Sequence, residues 1–167
     1  MGKRRKKRWN LRWAAKFVAK WEGVRLTAYW DRIAQPPILT IGAGHTGPIR
    51  KGGKLRPIRE GDRISWAYAM VLLTGDLRTA ARAVNQYVHV PISVRQRMAL
   101  ISLPFNIGVG AFASSTLVKK LNNRNYRGAA NEFLKWKFAG GVVIPGLLNR
   151  RRAERWMFIN PRKGVRL

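Results

Sequence analysis

The chain has 167 residues, a length suited to one domain or to two lobes on one chain. Hydrophobic residues make up 46%, with seven Trp and six Phe, which supplies a sizeable core and excludes disorder for most of the sequence. With 34 basic and 7 acidic residues the net charge is +27, which attracts nucleic acid, anionic lipid, lipopolysaccharide and anionic wall polymers without choosing among them, and the lack of cysteine excludes disulfides, a thiol nucleophile and Cys-based metal sites.

Residues 1–8, with the run GKRRKKR, read as a disordered basic arm. The NLRWAAKFVAKWEG that follows is broken by charges and lacks the apolar stretch and cleavage site of a secretory signal. Nowhere do roughly 18–20 apolar residues run together, as a membrane-spanning helix requires. The expectation is a protein made in the cytoplasm with no transmembrane segment and no export signal of its own.

From Trp9 the pattern turns helical: Trp9, Trp13, Phe17 and Trp21 recur four apart, beside Ala14 and Val18, with Arg12, Lys16 and Lys20 off the stripe. Two readings stay open, a helix docking its aromatic face on a core and a cationic amphipathic element that also engages a membrane surface. Gly23 is the expected end of this helix. Residues 22–60 then carry Gly and Pro among short apolar pieces (LTAYW, ILTIGAG, GPIRKGG, KLRPI), the texture of short strands and tight turns.

A long helix is predicted over about 65–88, with Ser65 at its N-cap and Met70, Leu73, Leu77, Ala81 and Val84 stepping by three or four; Thr74 and Gly75 are a mild cost inside it. Residues 91–160 read as almost wholly helical, punctuated at Pro104, Gly108, Gly110, Gly140–Gly141 and Pro145–Gly146. Leu117, Leu121, Ala129, Phe133, Trp136 and Trp156 are expected core residues. The fold class is therefore α+β: a small antiparallel sheet lobe joined by a long helix to a mostly helical lobe, residues 9–167 forming one domain with a cleft suited to an extended ligand.

Glu22 and Asp31 are the only acids in the first 59 residues. A helix end followed by a strand can bring two such carboxylates to opposite walls of one groove. Two carboxylates flanking a glycosidic bond are the usual equipment for its hydrolysis, one donating a proton and the other activating water or attacking the sugar. Apolar Trp21, Leu26, Tyr29 and Trp30 are surroundings that favour a protonated acid, and Arg25 and Arg32 surroundings that favour an ionised one. Spacing alone fits equally well a solvated Glu and Asp balancing local arginines. Thr40 has a hydroxyl suited to a water or a sugar, or to a plain strand position. His45 fits a structural cation better than a base, and with His89 so distant a metal site is not expected. TIGAGHTG has neither the Lys-Ser/Thr ending of a phosphate loop nor the spacing of a dinucleotide fold.

The stretch EGVRLTAYWD … TIGAGHT, residues 22–46, resembles the phage-type lysozymes of glycoside hydrolase family 24, the endolysins. The resemblance continues in order through DLRTAARAVN (76–85), FNIGVGAF (105–112), SSTL (114–117), AANEFLKW (129–136), the Gly pair at 140–141 and PGLLNRRRAE (145–154). It implies a two-lobed lysozyme-like fold that cleaves the β-1,4 bond between N-acetylmuramic acid and N-acetylglucosamine in bacterial peptidoglycan. It implies Glu22 as general acid, Asp31 as the carboxylate that activates water, and Thr40 as the residue that helps position that water. His45 and Asp76 would form a structural ion pair, and no metal or organic cofactor is implied. The implied setting is the host cytoplasm until a separate membrane-permeabilising protein gives release to the periplasm or wall; a monomer with no specific nucleic-acid partner is expected, and the charge itself points to electrostatic contact with anionic lipid or lipopolysaccharide. Three features depart from the pattern: the longer segment RIAQPPIL before Thr40, a linking helix without acids in its first turns but with Trp66 and Tyr68 there, and the basic arm.

Overall fold

The computed structural model describes residues 11–161, and helix α1, Arg12–Ala19, comes first among them; the expected basic arm (1–8) and Trp9 lie outside the described residues. Ala14, Ala15, Phe17 and Val18 are buried, so the apolar stripe is centred on Phe17, Val18 and the two alanines rather than on the tryptophans. Trp13 is 40% exposed and carries the Lys16 ammonium 5.6 Å above its ring. The helix ends before Gly23, at Lys20, and the Trp21 and Glu22 amides still bond the Val18 carbonyl.

Strands β1 (Arg25–Asp31) and β2 (Ile38–Gly42) form one antiparallel hairpin, and β3 (Ile49–Lys51) and β4 (Lys54–Arg56) form another. The expected small antiparallel sheet lobe is built of separate two-stranded ladders. Asp62 ties them together. Its carboxylate accepts from Arg56 at 2.7 and 2.8 Å, Lys51 at 3.0 Å and the Arg59 amide at 2.8 Å, while its carbonyl accepts from the Ala28 amide. The Arg56 hydrogen bonds, then the Arg59 amide, hold this carboxyl far below the usual range.

Helix α2, Trp66–Tyr87, follows, with the Ser65 side chain accepting from the Tyr68 amide at its N-cap. The Thr74 hydroxyl satisfies itself inside the helix by donating to the Met70 carbonyl at 2.6 Å. Tyr68 and Leu72, with Ile64, pack on a small core of Ile41, Ile49 and Ile58, whereas Leu73, Leu77, Ala80, Ala83 and Val84 enter the large helical core. One helix therefore belongs to both cores, and we read these cores as the two lobes. Trp66 is 52% exposed.

The helical lobe contains α3 (Val94–Ile107), α4 (Val109–Ser114), α5 (Thr116–Asn122), α6 (Tyr126–Glu132) and α7 (Pro145–Ile159), with a short 3-10 turn at Phe133–Lys135. Ser93 and Gln96 close a reciprocal capping box on α3. Pro104 does not end α3; it lies buried in the last turns, and the helix runs on to Gly108. Sequence reading also missed a third hairpin, β5 (Phe138–Ala139) with β6 (Val142–Val143). Gly140 and Gly141 both have positive φ (57° and 78°), the requirement of the tight two-residue turn whose twist matches paired strands. Leu117, Leu121, Ala129 and Phe133 are fully buried and Trp136 is partly so, but Trp156, expected in the core, is 51% exposed, with the Arg95 guanidinium 5.0 Å above its ring.

Phe133 packs against Phe158 with ring centroids 5.6 Å apart at the centre of this lobe. Phe133→Ala should lower unfolding stability by about 3–5 kcal/mol, read by urea denaturation; a loss within 1 kcal/mol would mean the site collapses without leaving a cavity.

Candidate active site

Glu22 leaves the C-terminal end of α1 and meets α7, 128 residues further on. Its Oε1 accepts from Arg150 Nη1 at 2.7 Å, with the Glu22 side chain 26% exposed and that of Arg150 3% exposed. All three nitrogens of the Arg150 guanidinium are engaged. Its Nε donates to Glu154 Oε1 at 3.2 Å, and its Nη2 donates to the carbonyl and hydroxyl of Ser102 at 3.2 and 3.3 Å. Glu154 is fully buried and also accepts from the Ser102 hydroxyl at 2.6 Å and from Arg151 at 2.9 Å. Burial pushes the Glu154 carboxyl up and the Arg151 guanidinium down to about 10, so each leans on the other's charge. Two guanidinium and two carboxylate groups make this cluster neutral.

Asp31 is the last residue of β1, paired with Ile38, and Thr40 lies opposite Tyr29 in the same ladder. Side chains of a strand alternate, so Tyr29, Asp31, Ile38 and Thr40 share one face, with Asp31 and Thr40 diagonal neighbours roughly 7–8 Å apart by ordinary ladder geometry. The extra length of RIAQPPIL is taken up wholly in the loop 32–37, outside the Asp31–Ile38 pair. Asp31 Oδ1 accepts from the Ile33 amide at 3.0 Å, which starts that loop. Thr40 is buried, and its hydroxyl donates to the Ile38 carbonyl at 3.2 Å. Among the described residues no hydrogen bond joins Glu22 to Asp31.

His45 sits on a tight turn closed by two backbone bonds with Ile41, at 2.9 and 3.0 Å. Its Nδ1 is 3.0 Å from both Asp76 oxygens, and its Nε2 is 3.4 Å from the Pro48 carbonyl. Gly47 gives the ring room, since a Cβ there would stand 3.1 Å from His45 Cε1. The contact joins the sheet lobe to the middle of α2. Sequence reasoning named Glu22, Asp31, Thr40, His45 and Asp76 and did not single out Arg150, Ser102 or Glu154. The readable signal was the helical spacing of Arg150, Arg151 and Glu154 within PGLLNRRRAE, where i, i+3 and i, i+4 partners share a face.

A small sheet lobe and a helical lobe sharing one long helix, with a partly exposed carboxylate at the end of α1 and a second on the adjoining hairpin, define the lysozyme class of glycoside hydrolase. A profile of the phage lysozyme family matches residues 19–154, and the chain belongs to that family. It is a peptidoglycan-hydrolysing enzyme of the endolysin type. It is 41% identical over 142 residues to the endolysin of Salmonella phage P22, covering 83% of this chain and 90% of that one. A P22 lysozyme mutant crystal structure superposes with a TM-score of 0.79 at 40% identity, covering 88% of this chain and 95% of the other. The muramidase domain of SpmX from Asticaccaulis excentricus superposes at 0.75 with 30% identity, covering 89% and 95%.

The Asp76 hydrogen bond raises the His45 pKa, against a lesser opposing effect of burial. A raised folded-state pKa gives stability that is complete below the unfolded value of about 6.5 and is lost as pH climbs through the folded value. Wild type should therefore exceed Asp76→Asn in stability by about 1 kcal/mol near pH 5.5 and by less at pH 9, as read in urea melts. A difference that grows toward pH 9 would contradict the pairing.

Proposed function

We propose that Glu22 is the general acid and Asp31 the water-activating carboxylate in hydrolysis of the β-1,4 bond between N-acetylmuramic acid and N-acetylglucosamine. The observation that carries the reading is the contrast between the two. Glu22 is fixed by a buried guanidinium at the end of α1, and Asp31, alone among the seven acids, has neither a cation nor another side chain as partner among the described residues. A fixed carboxyl suits proton delivery to the leaving oxygen, and an unpaired carboxylate is available to take a proton from water. Their lack of direct contact fits an inverting mechanism, which needs room for water between carboxyls roughly 6.5–9.5 Å apart.

Thr40 supports the second half-step. Its proton is committed to the Ile38 carbonyl, which leaves its oxygen lone pairs to accept. A water that donates one hydrogen to Asp31 and the other toward Thr40 presents its own lone pair to the anomeric carbon. His45 and Asp76 act by holding the hairpin against α2, a structural part. We further read the enzyme as a monomer that stays in the host cytoplasm until released to the periplasm or wall.

Glu22→Gln should lower hydrolysis of purified peptidoglycan by at least a thousandfold, and Asp31→Asn by on the order of a hundredfold, with folding unchanged by circular dichroism. Mass analysis should find hydrated, non-anhydro reducing ends. Full activity in Glu22→Gln would remove the assignment.

A second activity is favoured by a particular surface, a groove of about 350 Å³ lined by Lys16, Ala19, Lys20, Trp66 and Met70. Two ammonium groups above an apolar floor with a half-exposed tryptophan match the edge of an anionic lipid layer, phospholipid or lipopolysaccharide. Lys16→Glu/Lys20→Glu should weaken binding to phosphatidylglycerol vesicles at least tenfold more than Lys54→Glu/Lys119→Glu, which changes the net charge equally. Equal losses in a vesicle-sedimentation assay would reduce the effect to bulk charge.

A further inference from the structure

Three buried polar groups of the helical lobe take no direct part in the chemistry assigned above: Ser102, Arg151 and Glu154, at 0% exposure each. Burying two guanidiniums and a carboxylate in a helical core is costly, and a structural pair is often replaceable by apolar residues. The arrangement here has a direction. Ser102 and Arg151 converge on Glu154, Glu154 receives the Arg150 Nε, and the far edge of the Arg150 guanidinium is delivered to Glu22.

From these contacts we propose that Glu154 is a positioning residue for the general acid, fixing the plane of Arg150 and, through it, the Glu22 carboxyl. The proposal rests on Glu22 being the acid. Arg150 has one planar fork, and each of its three nitrogens meets a different anchor: Nε on Glu154, Nη2 on Ser102 and Nη1 on Glu22. A planar group held at two points cannot rotate at the third, so the Glu22 oxygen meets a donor of fixed position. With Glu22 26% exposed and a short step beyond α1, this anchor replaces the packing that a loop-end carboxyl otherwise lacks.

Glu154 also sets the charge around Glu22. The groups facing it are Arg150 and Arg151 from α7, Ser102 from α3, and Glu22, across Arg150, from the α1–β1 connection. Neighbouring charges are otherwise committed: Glu132 to Lys120 and Lys135, Arg155 to Asn131, and Arg95 over the Trp156 ring. Neutralising Glu154 therefore leaves Glu22 as the single carboxylate facing two guanidiniums. That change favours ionised Glu22 and narrows the pH range in which it can donate.

The test is steady-state hydrolysis of soluble peptidoglycan fragments from pH 4.5 to 9 by wild type, Glu154→Gln, Glu154→Asp, Ser102→Ala and Glu22→Gln, normalised to folded protein. For Glu154→Gln we expect kcat to fall about ten- to a hundredfold, the cost of a misplacement of order 1 Å, with KM within twofold and the alkaline limb of the profile moved to lower pH. Glu154→Asp should recover part of kcat and return the limb toward wild type, and Ser102→Ala should lower kcat severalfold. A core-packing role would change the melting temperature and the folded fraction but not the limb. A folded Glu154→Gln enzyme with wild-type kcat and limb overturns the proposal. Where Glu154→Gln does not fold, a Ser102→Ala enzyme with wild-type kcat overturns it. Undiminished activity in Glu22→Gln is a separate failure, of the acid assignment itself.

Discussion

The Arg150 guanidinium is the point where the chain's first helix, third helix and last helix are held in common. It is 3% exposed, and a charge that deep is tolerated only with its partners in place. Glu22 supplies one counter-charge from the end of α1, Glu154 supplies another from its own helix, and Ser102 takes up the remaining donor from α3. Packing of α1 and α7 against α3 is thus coupled to placement of a carboxylate at the edge of the lobe. Loss of any one partner leaves the others buried and short of a further bond.

A net charge of +27 makes every acid conspicuous, and the structure gives each a use. Glu22 and Glu154 serve Arg150 and Arg151, Asp62 gathers Arg56 and Lys51, Asp76 meets His45, and Glu132 meets Lys120 and Lys135. Glu60 accepts the Trp30 indole N–H. Among the described residues Glu60 and Asp31 are the acids that meet no cation, and of the two only Asp31 also lacks another side chain as partner. Screening by salt acts on the exposed cations and reaches the buried pairs far less, so this internal arrangement is insulated from the strong surface field.

Much of the fold was legible because it is written in local patterns. The α2 period of Leu73, Leu77 and Val84 with Ser65 ahead of it fixed a long helix to within a residue at each end. The Gly-rich 24–59 region announced strands, but not that they would pair only two by two. Pro104 misled because a proline in the last turns of a helix removes one bond without preventing the helix from closing. Gly140–Gly141 misled because two flanking residues on each side are too few to show an alternating period. Trp13 and Trp156 misled because a large aromatic can cover the surface, sheltered by a lysine or arginine, instead of filling the core. Glu22, Asp31 and Thr40 stood out from motif order and charge. The contact of Glu22 with Arg150 did not, since partners 128 residues apart leave no trace in spacing.

The two proposed catalytic carboxylates are anchored in different cores, and this governs what keeps them in register. Glu22 is held by the helical lobe through Arg150, whereas Asp31 is held by the hairpin β1–β2, whose inner residue Ile41 belongs to the small core. Only two residues of chain separate Glu22 from the first β1 pairing, Arg25 with Gly42. The Ala28 and Ile64 amides then stitch β1 to the approach of α2. From the other side, His45 pins the end of β2 to Asp76, halfway along the helix that both cores share. The separation of the carboxylates is therefore fixed by two attachments of one hairpin to one helix, while each carboxylate keeps its own local setting. The hydrogen bonds that hold the Glu22 side chain lie within the helical lobe and none crosses to the sheet lobe, so the hairpin's attachments set the separation while Arg150 sets the orientation of the acid.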